Sequence, residues 1–486
     1  MIKPTFEEAK ALSRGHTVVP IALEILSDQK TPIEILRTLR RQSERCFILE
    51  SVNGNDSWGR YSFLGYKPVT EAFGAAGAFT VKNGLHEAKK SGGAVAAARE
   101  LASQYRSPRI PWLPPFTGGL VGYIAYDAVR DFMPGLELRA SDEAGFRDFH
   151  FMLVDKLVAF DHFKQKIYII ANIPAEGIEN SYIKGAMELK DIERMILGAE
   201  ASHGEPPSLC GDFTPLFTES QFAEQVGKVK ARIAEGDICQ AVISNRWSAP
   251  FQGSLLDTYR ALRTINPSPY MVYMRLDDIE IACSSPETLI ALRDGEISSF
   301  PLAGTCARGA TEEEDAALAA SMLGDEKELA EHDMLVDLAR SDIGKASRYG
   351  SVAVSEYRQV KRFSHVSHIS SHVKGKLREG LDALDVIAAA LPAGTLSGAP
   401  KKRACEIIDE CEGAKRGVYG GAIGYIDFAG NMDMCIAIRM AVLKGGTVFV
   451  QAGAGVVADS VPENEYRETQ RKSQAVMEAL KTSAEA

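Results

Sequence analysis

Residues 435–446 read Cys435-Ile436-Ala437-Ile438-Arg439-Met440-Ala441-Val442-Leu443-Lys444-Gly445-Gly446. A β-prone run that ends in two glycines is a strand entering a tight hairpin, because glycine supplies the positive φ such turns require. Hairpins join antiparallel neighbours. Short β-like runs recur at Cys46 to Leu49, Phe151 to Phe160, Lys166 to Ala171 and Gln240 to Ser244. Mixed with long amphipathic helices, they predict an α+β protein with largely antiparallel sheet. At period two, Arg439 shares a face with Cys435, Ala437 and Ala441, all small. Its guanidinium then has space for a carboxylate held by two hydrogen bonds, although a structural ion pair fits the same pattern.

Just downstream lies Gln451-Ala452-Gly453-Ala454-Gly455-Val456. It reads as a loop whose glycines admit a ligand to the backbone and expose amide N–H groups to an anion. It matches neither the phosphate loop nor the dinucleotide fingerprint, and a plain bulge also explains it. Pro301-Leu302-Ala303-Gly304-Thr305 is a similar backbone feature. Past the loop, Ser460 and Glu463 predict a capping box with Pro462 in the first helical turn. Glu465, Glu468 and Lys472 follow at i, i+3 and i+7, and Val476 continues the stripe, which is odd for a wholly solvated face. A second helix, Asp325 to Ser341, reads DEKELAEHDMLVDLARS and sets Glu328 and Glu331 on one face. Two helices that each offer a carboxylate pair suit a hard divalent cation, with Mg²⁺ the natural candidate. Any single pair is more often a solvated acidic face. Glu287 and His368, met alone, are more often structural than catalytic.

At 486 residues the chain is too long for one compact core, so two domains or one large double-layered unit is expected. The clearest composition shift, Ala199 to Pro215, suggests a linker at 201–215 between regions 1–200 and 216–486. A net charge of −10 argues against nucleic-acid binding, so an anionic ligand must be met by local positive charge or a metal. Nothing at the N-terminus reads as a signal peptide, and no apolar run approaches a membrane span. Eight scattered cysteines form no C-x-x-C pair and no Cys/His metal spacing. A reduced, cytoplasmic protein is expected.

From Phe213 onward the chain resembles the chorismate-utilising enzyme family. The resemblance runs through EGDICQAVIS, SSPETL, PLAGT, ELAEHDMLVDLARSD, SHVSHISS, LPAGTLSGAPKKRA, YGGAIGYI, CIAIRMA and QAGAGVVADSVPENEYRET, in order. It implies two antiparallel sheets packed face to face with helices outside. It implies Mg²⁺ on Glu331 and Glu468, with Glu328 and Glu465 in support. Gly304, Thr305, Tyr419, Arg439 and the amides of Gly453, Ala454 and Gly455 match chorismate-binding positions. Glu287 matches a general acid for the departing C4 hydroxyl, with a pKa expected to be raised by the nearby carboxylate cluster. His368 matches the histidine needed for pyruvate elimination, and Gln240, Ala303 and Lys472 complete the catalytic set.

Two of these positions divide the family by reaction. Members that add water resemble this chain but carry lysine at Gln240; members that form a covalent intermediate carry lysine at Ala303. Glutamine and alanine here imply direct amination at C2 by ammonia. Leu49-Glu50-Ser51, Gly59 to Phe63 and Asn266 to Met271 resemble the tryptophan feedback site of the C2-aminating branch, with Ser51 and the Pro269, Tyr270 and Met271 backbone holding the amino acid; a rigid Pro-rich turn is the plainer explanation. With no amidotransferase after the last helix, a separate glutamine amidotransferase subunit is expected, in a heterotetramer. Competing readings are a synthase that stops before pyruvate loss, a C4-aminating synthase and a non-enzymatic tryptophan-binding regulator. Two positions depart from the family pattern: Cys306-Ala307-Arg308 stands where Arg-Pro-Arg is usual, and Ser341 where asparagine is usual.

Overall fold

In the strand Tyr270–Arg275, Met271 and Tyr273 alternate with Val272 and Met274, and all four are buried. A strand buried on both faces needs cover on both. The computed structural model describes residues 2–51, 59–198, 206–362 and 366–485 and shows what provides it. Met271 and Tyr273 pack under an outer helical layer, whereas Val272 and Met274 join an inner core. That inner core mixes Phe47 and Met440 from one sheet with Val121, Met152 and Ile423 from another. Among the described residues the sheets have 14 and 12 strands, and every pairing within them is antiparallel. Helices Pro32–Gln42, Ile178–Gly198, Leu256–Ile265 and Pro462–Glu485 cover the first sheet, and Ala94–Ala102, Glu326–Ala346 and Ala383–Ala390 the second. The α+β class, with large antiparallel sheets face to face and helices outside, is as expected.

The sheets do not divide where the composition shifts. Cys46–Glu50 pairs with Tyr270–Arg275, and Gly119–Ile124 with Ala422–Asp427, so strands from both sides of residue 200 share each sheet. Of the expected linker, 201–205 lie outside the described residues. Ser208–Leu209 and Thr214–Pro215 are zipped onto the long strand Gln240–Gln252.

Two runs read as single strands prove to be pairs that change sheet. Phe151 to Phe160 splits at Asp155 into Phe149–Val154 in the second sheet and Lys156–Asp161 in the first. Cys435 to Leu443 splits into Met432–Ile436 in the second sheet and Met440–Lys444 in the first. At this corner Arg439 has φ +54°, a left-handed conformation that costs a non-glycine residue about 1–3 kcal/mol unless its surroundings hold it. The expected hairpin follows directly: Gly445 and Gly446, at φ +56° and +77°, turn between paired Lys444 and Thr447. A third corner, Pro286-Glu287, joins Ile279–Ser285 of the first sheet to Thr288–Arg293 of the second.

Among the described residues no helix is long and apolar enough to cross a membrane.

Candidate active site

The corners at Glu287 and Arg439 lie side by side. The Ile436 N–H donates to the Glu287 carbonyl (3.0 Å), the Ser284 N–H to the Arg439 carbonyl (3.0 Å), and the Ser285 hydroxyl to the Ile436 carbonyl (2.6 Å). The backbone that changes sheet therefore carries both an acid and a cation into one cleft. Glu287 takes a hydrogen bond at Oε1 from the Thr395 hydroxyl, 3.0 Å away. Burial pushes its carboxyl up to about 7, opposed by the Thr395 hydrogen bond and the positive charge of Lys472. The expected cause, a carboxylate cluster, is thus replaced by desolvation. Arg439 is held by the carbonyl of Lys472, which accepts from Nη1 at 2.6 Å, and burial lowers its pKa.

The PLAGT segment forms the strand Leu302–Ala307, paired to Val366–Lys376 with a register shift between Ala303 and Cys306. Gly304, at φ +63°, makes that irregularity possible. Its carbonyl lies 2.7 Å from Nδ1 of His368. A carbonyl can only accept, so Nδ1 carries the hydrogen and Nε2 is the basic nitrogen. Burial lowers the His368 pKa, which keeps the ring neutral and basic near neutral pH. Thr305 lies in the same strand. Arg308 and Arg362 both donate to Asp315, anchoring the segment that departs from the family pattern at Cys306. Ser341, the other departure, is exposed.

Gln451 to Val456, expected as a loop, is instead the end of the strand Thr447–Val456, paired along its length with Gln240–Gln252. Glycines do not break the strand here, because residues 241–246 pair with 451–456 one by one. Gly453 and Gly455 alternate with Ala454, which is fully buried. A Cβ on Gly453 would stand 3.0 Å from the Tyr419 hydroxyl, and one on Gly455 only 2.8 Å from Nε2 of Gln240. Gly453 lies against the Tyr419 hydroxyl, and its carbonyl accepts from Nζ of Lys472 (3.0 Å), which also pairs with Glu468 at 2.5 Å. Arg439, Tyr419, Gly453, Lys472 and Glu468 thus form one connected wall.

The two carboxylate helices are α1 (Glu326–Ala346), whose first turn is capped by Asp325, and α2 (Pro462–Glu485). Charges reach from one to the other: Glu468 and Lys472 act on Glu331, and Lys327 acts on Glu465. Burial first, then the charges of Glu328 and Glu468, push the Glu331 carboxyl above its ordinary value against Lys472 and Lys327. Burial also raises Glu465, a Ser460 hydrogen bond opposes it, and Glu468 adds to the rise. The expected Ser460–Glu463 box gives way to other partners: Ser460 accepts from the Val457 N–H at 3.1 Å. Among the described residues no three Asp, Glu, His or Cys side chains close a metal cage by themselves.

Sequence reasoning missed the network that fixes this cleft. Arg416 and Glu412, both fully buried, pair at 2.6 Å. Arg416 also donates to the carbonyls of Leu396, next to Thr395, and Val242, while Glu412 takes the Ser244 N–H and hydroxyl. The pair thereby ties Thr395, the Gln240 strand and Tyr419 into one frame. Their spacing of four was the only signal. Thr395 lay inside the quoted LPAGTLSGAP run.

Ser51, Pro269, Tyr270 and Met271 meet in a separate pocket with Phe63 and Tyr425. The Ser51 hydroxyl oxygen is buried and, among the described residues, has no hydrogen-bond partner. Glu50 beside it is held by Tyr259, Ser62 and Arg263. The Tyr270 hydroxyl reaches Thr288 (2.8 Å) and Asp433 (3.1 Å), and burial raises Asp433 to about 7. All three segments of the feedback match, 49–51, 59–63 and 266–271, are among the described residues.

The double antiparallel sandwich with helices outside is the fold that the sequence resemblance implied. Residues 44–478 match the family described as chorismate binding enzyme, and the chain belongs to it. It is 42% identical to the anthranilate synthase component 1 of Acetivibrio thermocellus, over 100% of both chains. It is 42% identical to that of Aquifex aeolicus (strain VF5), covering 99% of this chain and 98% of the relative. Among solved structures, anthranilate synthase component I from Streptococcus pneumoniae TIGR4 is similar with a TM-score of 0.78 at 36% identity, over 93% of this chain and 98% of that one. The menaquinone-specific isochorismate synthase of Escherichia coli shares the fold at 19% identity, with a TM-score of 0.72 over 98% of each chain.

Proposed function

We propose that this chain is the chorismate-acting component of an anthranilate synthase. It aminates chorismate at C2 with ammonia, expels the C4 hydroxyl, and eliminates pyruvate to leave anthranilate, the opening step toward L-tryptophan. What supports this reading is the identity of residues 240 and 303, glutamine and alanine. Gln240 lies against Gly455, and Ala303 precedes the Gly304 turn. Neither can activate water or form a covalent bond to the ring, so the nucleophile arrives as ammonia.

Each residue then has a task. Arg439 and Tyr419 orient the substrate at the glycine wall, with a carboxylate on the guanidinium. Glu287, neutral up to about pH 7, gives its proton to the leaving hydroxyl, which departs as water. Nε2 of His368 takes the proton from C2, the electrons of that C–H bond complete the aromatic ring as the ring C–O bond breaks, and the enolpyruvate released takes a proton at its methylene carbon, which the imidazolium can supply, to leave as pyruvate. The donor set of α1 and α2 fits Mg²⁺: hard oxygens whose like charges are only partly offset by Lys472 and Lys327. Held by Glu331 and Glu468, with Glu328 and Glu465 in support, the ion would neutralise a substrate carboxylate and polarise the C4 hydroxyl.

The name component 1 carried by the relatives supports a second component. For this chain we assign it as a glutamine amidotransferase subunit that delivers ammonia. The pocket at Ser51, with its unpartnered hydroxyl, is assigned to inhibitory L-tryptophan. The nitrogen source tests the reading. The purified chain with Mg²⁺ should turn over chorismate with ammonium salts and not with glutamine until an amidotransferase subunit is added. Glutamine-driven turnover by the chain alone would contradict it.

A further inference from the structure

Glu287 has a second exposure that the cleft does not use. Behind it, between the second sheet and α1, lies a cavity of about 50 Å³. It is lined by Leu335, Leu338, Ala339, Asp342 and Ile343 of α1, one face of the helix over about 12 Å of its length. Glu287 and Thr395 also line it. His368, Arg439 and the glycine wall do not line it. Its volume holds roughly three or four waters, and Glu287, Thr395, Ser299 and Asp342 provide the polar partners that water needs. Asp342 is 12% exposed and stands between Nζ of Lys401 (2.5 Å) and Nζ of Lys345 (3.2 Å). Lys345, 53% exposed, reaches solvent.

We propose that this cavity is the route by which Glu287 regains its proton, a short file of waters leading from Asp342 at the solvent side to the Glu287–Thr395 pair. The proposal rests on the reading of Glu287 as the proton donor. Once Glu287 has protonated the leaving hydroxyl it is a carboxylate, and bound substrate blocks its front face. A proton then has to enter from behind. The last water gives a hydrogen to the carboxylate, each water in the file receives one from its neighbour, and bulk solvent replaces the proton at Asp342. One O–H bond forms on Glu287 and one solvent proton is consumed, matching the one lost to the departing water. Asp342 is on this account a relay residue that touches no substrate.

Two variants test it, assayed as the full chain with Mg²⁺, chorismate and ammonium. Ala339→Leu fills the cavity, and Asp342→Asn keeps the shape of the entrance but cannot pass a proton. Each should lower kcat several-fold at unchanged KM for chorismate, with a larger D2O solvent isotope effect on kcat, while thermal melting shows the chain folded. A merely structural role would not raise the isotope effect. Glu287→Gln separates the two layers of the argument. If it retains the wild-type rate, the proton-donor reading itself fails. If it is inactive while Ala339→Leu and Asp342→Asn both keep wild-type kcat and isotope effect, only the relay fails, and the proton released from the amine must return within the cleft.

Discussion

The catalytic cleft and the Ser51 pocket share the strand Thr288–Arg293, which leaves Glu287 at one end and reaches the pocket with Arg293 at the other. They treat charge differently. In the cleft, Glu287 is raised by burial, Glu331 by burial and its neighbours, and Arg439 is lowered by burial. In the pocket, Glu50 and Asp433 already have hydrogen-bond partners in the protein, and the Ser51 hydroxyl is the group left without one among the described residues. Burial alone raises a carboxyl in both, as Asp433 shows at about 7; what sets the cleft apart is the set of like charges, Glu328 and Glu468 around Glu331, that a cation can relieve.

On that contrast, the largest loss comes from the carboxylates of α1 and α2. Glu331→Gln or Glu468→Gln should reduce turnover on the order of a hundredfold or more, because the departing hydroxyl loses its electrostatic support. Near-wild-type rates at ordinary Mg²⁺ would remove the metal from α1 and α2. Next, His368→Ala should divide the reaction. Amination continues, 2-amino-2-deoxyisochorismate accumulates by mass spectrometry, and pyruvate release falls. Parallel loss of both steps would make His368 a binding residue.

A smaller effect follows from acidity. Glu287 works only while protonated, so with free ammonia held constant the rate should fall as pH rises through about 7, to roughly a tenth one unit above it. His368, lowered by burial, should stay active across that range and limit the rate only on the acid side. A flat profile between pH 6 and 9 would refute the assignment of Glu287. The smallest effect on catalysis belongs to the pocket. Ser51→Phe should fill it, keep the ammonia-dependent rate, and abolish inhibition by L-tryptophan. Because coupling is reciprocal, chorismate should weaken tryptophan binding to the wild type by the same factor. No heat of tryptophan binding in calorimetry would make the pocket purely structural.

The carboxylate helices were legible because a period of 3.6 fixes which side chains share a face whatever the surroundings. Spacing put Glu328 with Glu331 and Glu465 with Glu468; joining the two pairs in one site took the family resemblance. The Gly445-Gly446 hairpin was legible because its backbone demands glycine. The corners were not. Cys435 to Leu443 and Phe151 to Phe160 stay apolar through Arg439 and Asp155 because both flanking strands are buried, so the pattern does not change where the chain changes sheet. The interleaving of early and late strands was hidden for a related reason: long-range pairing leaves no local signal. The Arg416–Glu412 frame and the true cause of the Glu287 shift depend on burial, which emerges only when distant segments meet.

The central claim is that the cleft aminates chorismate at C2 and carries the product through to an aromatic ring. Its most direct test is product identity: purified chain, chorismate, Mg²⁺ and an ammonium salt, with no partner subunit, analysed by chromatography and mass spectrometry. Anthranilate and pyruvate in equal amounts are predicted. Isochorismate, or a product aminated at C4, would contradict the account.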